Sequence, residues 1–270
     1  MATSLDIAAE HAALLAELRA LGRPYRGGVQ NDSYSGSGRP FLNVSAPERR
    51  QIIKGWLARR RTVADADLLA LADSLFEGET HEERTLGALM LQASRRARRA
   101  ATPARVDGWL GQLNGWAEID TLCASVFGPE ELGAGWPAWK ALIEALAGDA
   151  NINKRRAALV LLVTPTRASD DIRFRDLGFA AVERLKSERD ILITKAVSWL
   201  LRAMSAHHAA EVGAYIDAHA GELPAVAVRE TRAKLRTGRK SGRPRTSVLD
   251  LKFANSRVGH RANLKSKKAH

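Results

Sequence analysis

The sequence predicts an all-α fold, a curved α-solenoid of about six antiparallel helix pairs. Three observations favour this fold. Apolar residues recur with helical spacing in about twelve segments of roughly ten to twenty residues. Period-two alternation is absent and β-branched residues are sparse, which argues against strands. Adjacent helices also recur about every 35–40 residues, as in stacked helical hairpins. A compact helical bundle is the alternative architecture.

Helix start signals set the expected elements in the first half of the chain. Residues 5–21 form the first predicted helix, and residues 22–44 form a loop with one short turn. Ser45 is a helix N-cap with Pro47 and Glu48 in the first turn. Thr80 and Glu83 form a capping box. The predicted helices of this half are 5–21, 46–60, 65–76, 80–99, one from Thr102-Pro103, and 114–127.

The second half continues the same pattern. Pro129 begins a helix that we expect to reach Leu146. A helix from Asn151 is predicted to end at Val163, because Pro165 should stop it. The remaining predicted helices are 169–185 with Ser169 as cap, 187–204 with Ser187 and Asp190 at its start, 206–220 and 224–235.

Composition narrows the function classes. The 270 residues are 45% hydrophobic and 27% charged, as in ordinary soluble domains. No run of about eighteen apolar residues occurs, and the N-terminus lacks the basic-then-apolar pattern of a secretory signal. Cys123 is the only cysteine and lies in an apolar helix, so we expect it in the core and expect no disulfide or cysteine zinc site. A cytoplasmic location is the default expectation.

Positive charge is concentrated at the C-terminus. The chain has 42 Lys and Arg against 30 Asp and Glu, a net charge of +12. Residues 236–270 contain eleven of the basic residues and one acid, Asp250, which leaves about +2 on residues 1–235. The sequence therefore predicts a helical domain over 1–235 and a basic, disordered tail over 236–270. The tail suits a DNA-binding arm or a solubilising extension.

Two helices carry aromatic and charged residues in unusual positions. Trp199 lies between Lys195 and Arg202, at helical spacings that place an indole and two cations on one face. Such a face can stack on nucleic acid and contact phosphates, although the indole could instead cover a helix seam. Trp116 and Asp120 lie four residues apart and project to one side of their helix. Asp120 is at the margin of an apolar stripe, where it is either partly desolvated or a solvated acid.

Basic residues cluster near helix ends. Arg156 lies at the start of an inward-facing apolar stripe. A cation in this position either binds an anion or extends its guanidinium to solvent. Lys154 and Arg155 precede it, and Arg50 belongs to a second cluster. In a solenoid such clusters can form a positive groove, but each alone is more often a solvated surface. No phosphate-binding P-loop or HExxH zinc motif is present.

Three segments resemble the AlkD-like DNA alkylation repair family. Residues 41–50, FLNVSAPERR, resemble its FLGV-x-x-PE-x-R segment. Residues 195–202, KAVSWLLR, are similar to its KAIGW-x-LRE helix, and residues 156–159, RAAL, to its RRAAIL helix. The resemblance extends from about residue 10 to 236 and is specific because the motifs occur in order.

The resemblance implies a C-shaped stack of HEAT-like helix pairs that excises cationic alkylpurines from duplex DNA as a glycosylase without a base-flipping pocket. It implies that Asp120 is catalytic and that Trp116 and Trp199 flank it. Arg156 and Tyr34 match DNA-contacting positions. We also expect DNA contacts from Lys154, Arg155, Lys195, Arg202 and Arg50. No cofactor, metal or membrane is expected, and the protein should be a nucleoid-associated monomer.

Two positions depart from the family pattern. Ala117 replaces an acid that often follows the first tryptophan, and Asn43 replaces the glycine of FLG. The first change leaves the support of Asp120 in question. Two other functions remain open, namely a noncatalytic HEAT-repeat protein that binds distorted or branched DNA, and a protein-interaction scaffold.

Overall fold

The structure, a computed structural model, describes residues 5–24 and 35–240. Within these ranges it contains helices and no strand, which confirms the all-α prediction. The predicted tail beyond Lys240 lies outside the described residues. The helices are α1 (Ile7–Leu21), α2 (Ala46–Arg59), α3 (Asp65–Phe76), α4 (His81–Ala93), α5 (Arg95–Ala100), α6 (Pro103–Gln112), α7 (Gly115–Val126), α8 (Pro129–Ala134), α9 (Trp136–Leu146), α10 (Ile152–Val160), α11 (Val163–Ala168), α12 (Ile172–Leu185), α13 (Ile191–Met204), α14 (Ala209–His219) and α15 (Ala225–Thr237).

The long helices stack in two rows. In one row α2, α4, α7, α10, α13 and α15 pack successively against one another. In the other row α1, α3, α6, α9 and α12 do the same. Helices also pair across the rows, as α3 with α4, α9 with α10 and α12 with α13. Each pair thus contacts mainly its neighbours, which is the arrangement of an α-solenoid.

Apolar side chains fill the space between the rows. The fully buried residues include Leu71 and Phe76 of α3 and Leu86 of α4. Trp109 of α6 packs on Phe76 with ring centroids 5.0 Å apart. Cys123 is completely buried, as its apolar helix predicts. Burial along successive pairs makes one continuous core, so no pair stands alone.

The helix predicted over residues 80–99 is in fact two helices. The chain breaks at Ser94, whose backbone is extended at φ −118° and ψ 103°. The Ser94 side chain accepts a hydrogen bond from the backbone N–H of Ala97 and so begins α5 as an N-cap. The residues around Ser94 are good helix formers, so the sequence pattern did not reveal the break. A serine can hydrogen-bond to nearby backbone either inside a helix or as an N-cap, and the fold decides between the two.

The helix predicted over residues 129–146 is also divided. Gly135 adopts φ −123° and ψ 37°, and α9 begins at the next residue, with Pro137 in its first turn. Proline lacks an N–H and is tolerated there, whereas inside one continuous helix it would remove a hydrogen bond. The proline therefore requires the interruption that the sequence prediction omitted.

Pro165 was predicted to stop a helix, and the structure corrects this prediction. Helix α10 ends earlier, at Val160, and Pro165 lies within the next short helix, α11. Because its position is in the first turn of α11, its missing N–H costs nothing. The later N-caps are Asp171 in place of the predicted Ser169, and Asp190 in place of Ser187, so that the helix predicted from residue 187 begins at Ile191.

Asn43 shows why glycine suits its position in the family segment. Its φ is 59°, the left-handed region that glycine enters freely and asparagine tolerates best among the other residues. The Asn43 Nδ2 also donates to the Arg23 carbonyl oxygen at 3.0 Å. The departure from glycine is therefore compatible with the same turn.

No helix in the described part of the chain is long and apolar enough to cross a membrane.

A buried carboxylate joins α4 of one row to α1 of the other. Glu83 Oε2 accepts from the Thr80 backbone N–H at 2.8 Å and from the Thr80 hydroxyl at 2.6 Å, completing the predicted capping box. Its Oε1 lies 3.0 Å from Nε2 of His11 in α1. Burial alone would raise the pKa of Glu83, but the hydrogen bonds from His11 and Thr80 outweigh it and lower the pKa from 4.5 to about 2.

We predict that Glu83→Gln lowers the free energy of unfolding by about 3 kcal/mol at pH 7. A depressed pKa contributes stability above the unfolded value and loses it as the pH falls. The difference between wild type and variant should therefore begin to shrink below pH 4.5 and vanish near pH 2. Urea unfolding over a pH series measures it. Glu79→Gln, at an exposed neighbouring position, is the control and should change little.

Candidate active site

Asp120, Trp116 and Trp199 line one cavity of about 550 Å³. Trp116 and Asp120 come from α7, one helical turn apart, and Trp199 comes from α13. Helix α4, helix α2 and the segment before α2 also supply lining residues. The other lining residues are Ser35, Phe41, Val44, Arg49, His81, Glu82, Ala117, Thr121, Ala124, Ser125 and Arg167.

Arg156 holds the Asp120 carboxylate. Its Nε donates to Asp120 Oδ1 at 2.9 Å, and its Nη2 donates to Oδ2 at 2.8 Å, a two-pronged ion pair. Its Nη1 donates to the carbonyl oxygen of Leu192. Arg156 is 5% exposed, so its side chain does not extend to solvent. The guanidinium therefore fixes the direction of the carboxylate from behind.

The carboxylate is poorly hydrated. The side chain of Asp120 is 17% exposed, which excludes a fully solvated acid. Burial raises the pKa of Asp120, while the hydrogen bonds and positive charge of Arg156 oppose the rise. A carboxylate in this position has exchanged water for one cation, and it can interact strongly with a second positive charge that enters the cavity.

The two tryptophans are partly buried and both reach the cavity. Trp199 packs on the hydrophobic core with part of its ring and lines the cavity with the rest. Trp116 also lines a second cavity of about 630 Å³, with Arg156, Lys195 and Lys240 among its other walls. Trp116 thus separates two adjacent openings in the surface.

The structure does not gather all the predicted basic residues at this cavity. Lys154 lies 2.7 Å from Asp107, and Arg155 donates to Glu188 at 2.7 Å. Neither lines the cavity that contains Asp120. Both side chains form ion pairs within the protein, and their DNA contacts stay predictions.

The remaining predicted cations are placed differently from one another. Lys195 is exposed and lines the second cavity. Arg202 is partly buried and lies 3.5 Å from Glu230. Arg50 is exposed on α2 and lines neither cavity. The predicted contact of Tyr34 falls outside the described residues, although the adjacent Ser35 lines both cavities.

Buried His81 and Glu82 form a part of the cavity wall that the sequence did not reveal. His81 Nδ1 lies 3.1 Å from Glu118 Oε1, and Phe41 stacks on the imidazole with ring centroids 4.7 Å apart. Glu82 accepts from the backbone N–H of Leu42 at 2.9 Å. These contacts fasten the segment before α2 to the cavity. Their partners are distant in sequence, so no spacing pattern could have indicated them.

Among residues 5–24 and 35–240, no three or more His, Cys, Asp or Glu side chains are placed so that they could together hold a metal ion.

Gly115 allows the segment at Ser35 and Gly36 to lie against the start of α7. Its φ is +71°, and a Cβ there would lie 2.0 Å from the Ser35 carbonyl oxygen. The Gly115 N–H donates to Asn153 Oδ1 at 3.0 Å. Because the next residue is Trp116, this close approach also fixes the cavity wall.

We predict that Gly115→Ala destabilises the protein by about 2 kcal/mol or more, because a Cβ is strained at positive φ and collides with backbone. Denaturant unfolding measures the loss. Gly111→Ala, inside α6 with open space around the added Cβ, is the matched control. It should stabilise by roughly 0.5–1 kcal/mol. Equal stability of both variants would contradict the close approach.

Comparison with known proteins gives two findings. The family described as DNA alkylation repair enzyme matches residues 14–235. A solved structure titled "Predicted DNA alkylation repair enzyme from Enterococcus faecalis" is similar with a TM-score of 0.54 and 19% identity, over 74% of this chain and 90% of that chain. At this identity the likeness concerns the fold. No curated protein sequence matches the chain significantly.

Proposed function

The chain belongs to the family of DNA alkylation repair enzymes, and we propose that it is a glycosylase that hydrolyses the N-glycosidic bond of cationic N3- or N7-alkylated purines in duplex DNA. Family membership implies a DNA substrate. One observation carries the finer proposal. The partly desolvated carboxylate of Asp120 is held by Arg156 in a cavity that Trp116 and Trp199 line.

The lesion itself supplies a good leaving group. Alkylation at N3 or N7 places a positive charge on the purine, so the base departs as a neutral molecule without a general acid. The electron pair of the N-glycosidic bond goes to the base, and positive charge develops on the deoxyribose. The protein then needs to stabilise an oxocarbenium-like sugar and to admit water.

Asp120 has the charge that this sugar requires. At 4 Å and an effective dielectric of about 20, a carboxylate attracts a unit positive charge by about 4 kcal/mol. That attraction corresponds to about three decades of rate. Arg156 occupies one lone-pair direction of each carboxylate oxygen, and each oxygen retains another for the sugar or the attacking water. Asp120 can therefore stabilise positive charge and orient water in one position.

Trp116 and Trp199 would pack on the deoxyribose and exclude solvent around it. An indole face also attracts a cation by about 1 kcal/mol, which favours the charged sugar over its neutral ground state. The aromatic rings and the carboxylate thus act on the same atoms.

Recognition from the DNA backbone removes the need for a pocket that encloses the base. Specificity would come from the lability of the cationic lesion, so bulky N7 adducts should be excised while neutral lesions are not. Backbone contacts also make binding strongly salt-dependent.

We predict that Asp120→Asn lowers single-turnover release of 7-methylguanine by about 10²–10³-fold, because the amide keeps the shape but loses the charge. Affinity for undamaged duplex should remain within about twofold, since Asp120 does not contact phosphate in this account. The measurement is base release from a methylated duplex. Asp107→Asn, which removes an exposed carboxylate that is paired with Lys154 outside the cavity, is the matched control and should excise normally.

Equal rates for wild type and Asp120→Asn would remove Asp120 from catalysis. Binding of branched or distorted DNA without base release by wild type would instead support the noncatalytic function.

Excision should also depend on pH through the same carboxylate. We predict that the enzyme-dependent rate falls as the pH decreases through the raised pKa of Asp120, because the protonated form carries no charge. Arg156→Gln removes the group that opposes the rise, so its profile should shift to higher pH. Single-turnover rates over a pH series, after subtraction of spontaneous depurination, test this. An unshifted profile in Arg156→Gln would contradict the role of the ion pair.

A further inference from the structure

We propose that Arg167, together with Ser125 of the same cavity wall, binds a phosphate of the DNA strand that occupies the cavity. The proposal rests on DNA being the substrate and adds a residue that no sequence motif identified. Both side chains line the cavity that contains Asp120 and Trp199. Both are exposed, Arg167 near the end of α11 and Ser125 near the end of α7.

Arg167 is the one exposed charged side chain among the described residues that line the cavity. Asp120 is paired with Arg156, and the partly buried guanidinium of Arg49 lies near enough to buried Glu82 to feel its charge, although the two form no ion pair. No acidic side chain lies within ion-pair distance of Arg167 in the described ranges. The cavity therefore presents an exposed positive charge without an acidic neighbour to whatever enters it.

Many other arginines of the described surface differ in this respect. Arg95, for example, is 62% exposed but lies 2.6 Å from Glu130. Arg155 and Arg173 are likewise held by Glu188 and Asp171. An arginine that already has a carboxylate gains less from a phosphate, because binding must break or share the existing pair. Arg167 has no such competition.

The wall beside Arg167 is shaped for close approach of a backbone. Besides Trp116 and Asp120, the residues of α7 that line the cavity are small, with Ala117, Thr121 and Ala124 preceding Ser125. The Thr121 hydroxyl is already used, since it donates to the Ala117 carbonyl oxygen at 2.6 Å. The Ser125 hydroxyl has no hydrogen-bond partner among the described residues and can donate to a phosphate oxygen.

The position of Arg167 is fixed by a contact between two elements. The ring Nε2 of His207 lies 3.1 Å from the Arg167 carbonyl oxygen, which joins the end of α11 to the loop after α13. The same helix α13 carries Trp199. Arg167 and Trp199 therefore lie on elements that are joined by this contact. A phosphate bound by Arg167 would position its nucleotide relative to Asp120.

The salt dependence of binding to undamaged duplex tests the proposal. Arg167→Gln should reduce the slope of log K against log salt by about 0.9, the value for one lost phosphate contact, and weaken binding about five- to tenfold near 0.1 M salt. Ser125→Ala should weaken it about two- to threefold without changing the slope. Arg167→Lys keeps the charge and should retain the wild-type slope.

Arg95→Gln is the matched control, because it removes the same charge from an exposed arginine that is already paired. Its slope should equal that of wild type, which separates a local phosphate contact from a general loss of net charge. A wild-type slope in Arg167→Gln, or an equal change in Arg95→Gln, would overturn the proposal. The salt dependence is measured on undamaged DNA, so it can be interpreted even if the wild-type protein excises no base.

Discussion

The bidentate ion pair between Asp120 and Arg156 is the interaction on which the candidate site depends. It joins α7 to α10, and the third donor of Arg156 reaches the Leu192 carbonyl oxygen at the start of α13. Three successive helices of one row are thus connected through one guanidinium. Since α7 carries Trp116 and α13 carries Trp199, the same contact sets the separation of the two rings. Loss of the guanidinium would leave a desolvated carboxylate without a partner, which is costly in a protein interior.

Two opposing effects act on the charge of the Asp120 carboxylate. Burial disfavours its charge and raises its pKa, and Arg156 opposes this rise only in part. A carboxylate exposed to water would be stably ionised but screened, so it would stabilise a positive sugar weakly. In the cavity between Trp116 and Trp199 the carboxylate is paired with Arg156 and only slightly hydrated, a condition in which an added positive charge is strongly attracted. Most of the surrounding charges are paired within the protein and so largely neutralise one another. The Asp120 carboxylate is therefore the group whose position decides where a positive charge is stabilised in the cavity.

Sequence patterns predicted much of the fold because capping residues and apolar spacing act locally. Asp65–Phe76 was predicted with its observed bounds, and the box of Thr80 and Glu83 formed as expected. Ser94 and Pro165 were misread, because each has one role inside a helix and another at its start, and tertiary packing chooses between them. The shared face of Trp116 and Asp120 followed from helical spacing. The ion pair of Asp120 with Arg156, 36 residues away, required the resemblance to suggest both positions and the structure to join them. Arg167 carried no signal, since only the absence of an acidic neighbour in space distinguishes it.

The rate of 7-methylguanine release under single-turnover conditions, compared with spontaneous depurination of the same methylated duplex, tests the central claim most directly. A carboxylate that stabilises the sugar by about 4 kcal/mol should accelerate release about a thousandfold over the duplex alone. Release at the spontaneous rate, with the duplex fully bound, would contradict the account and leave Asp120 as a structural partner of Arg156.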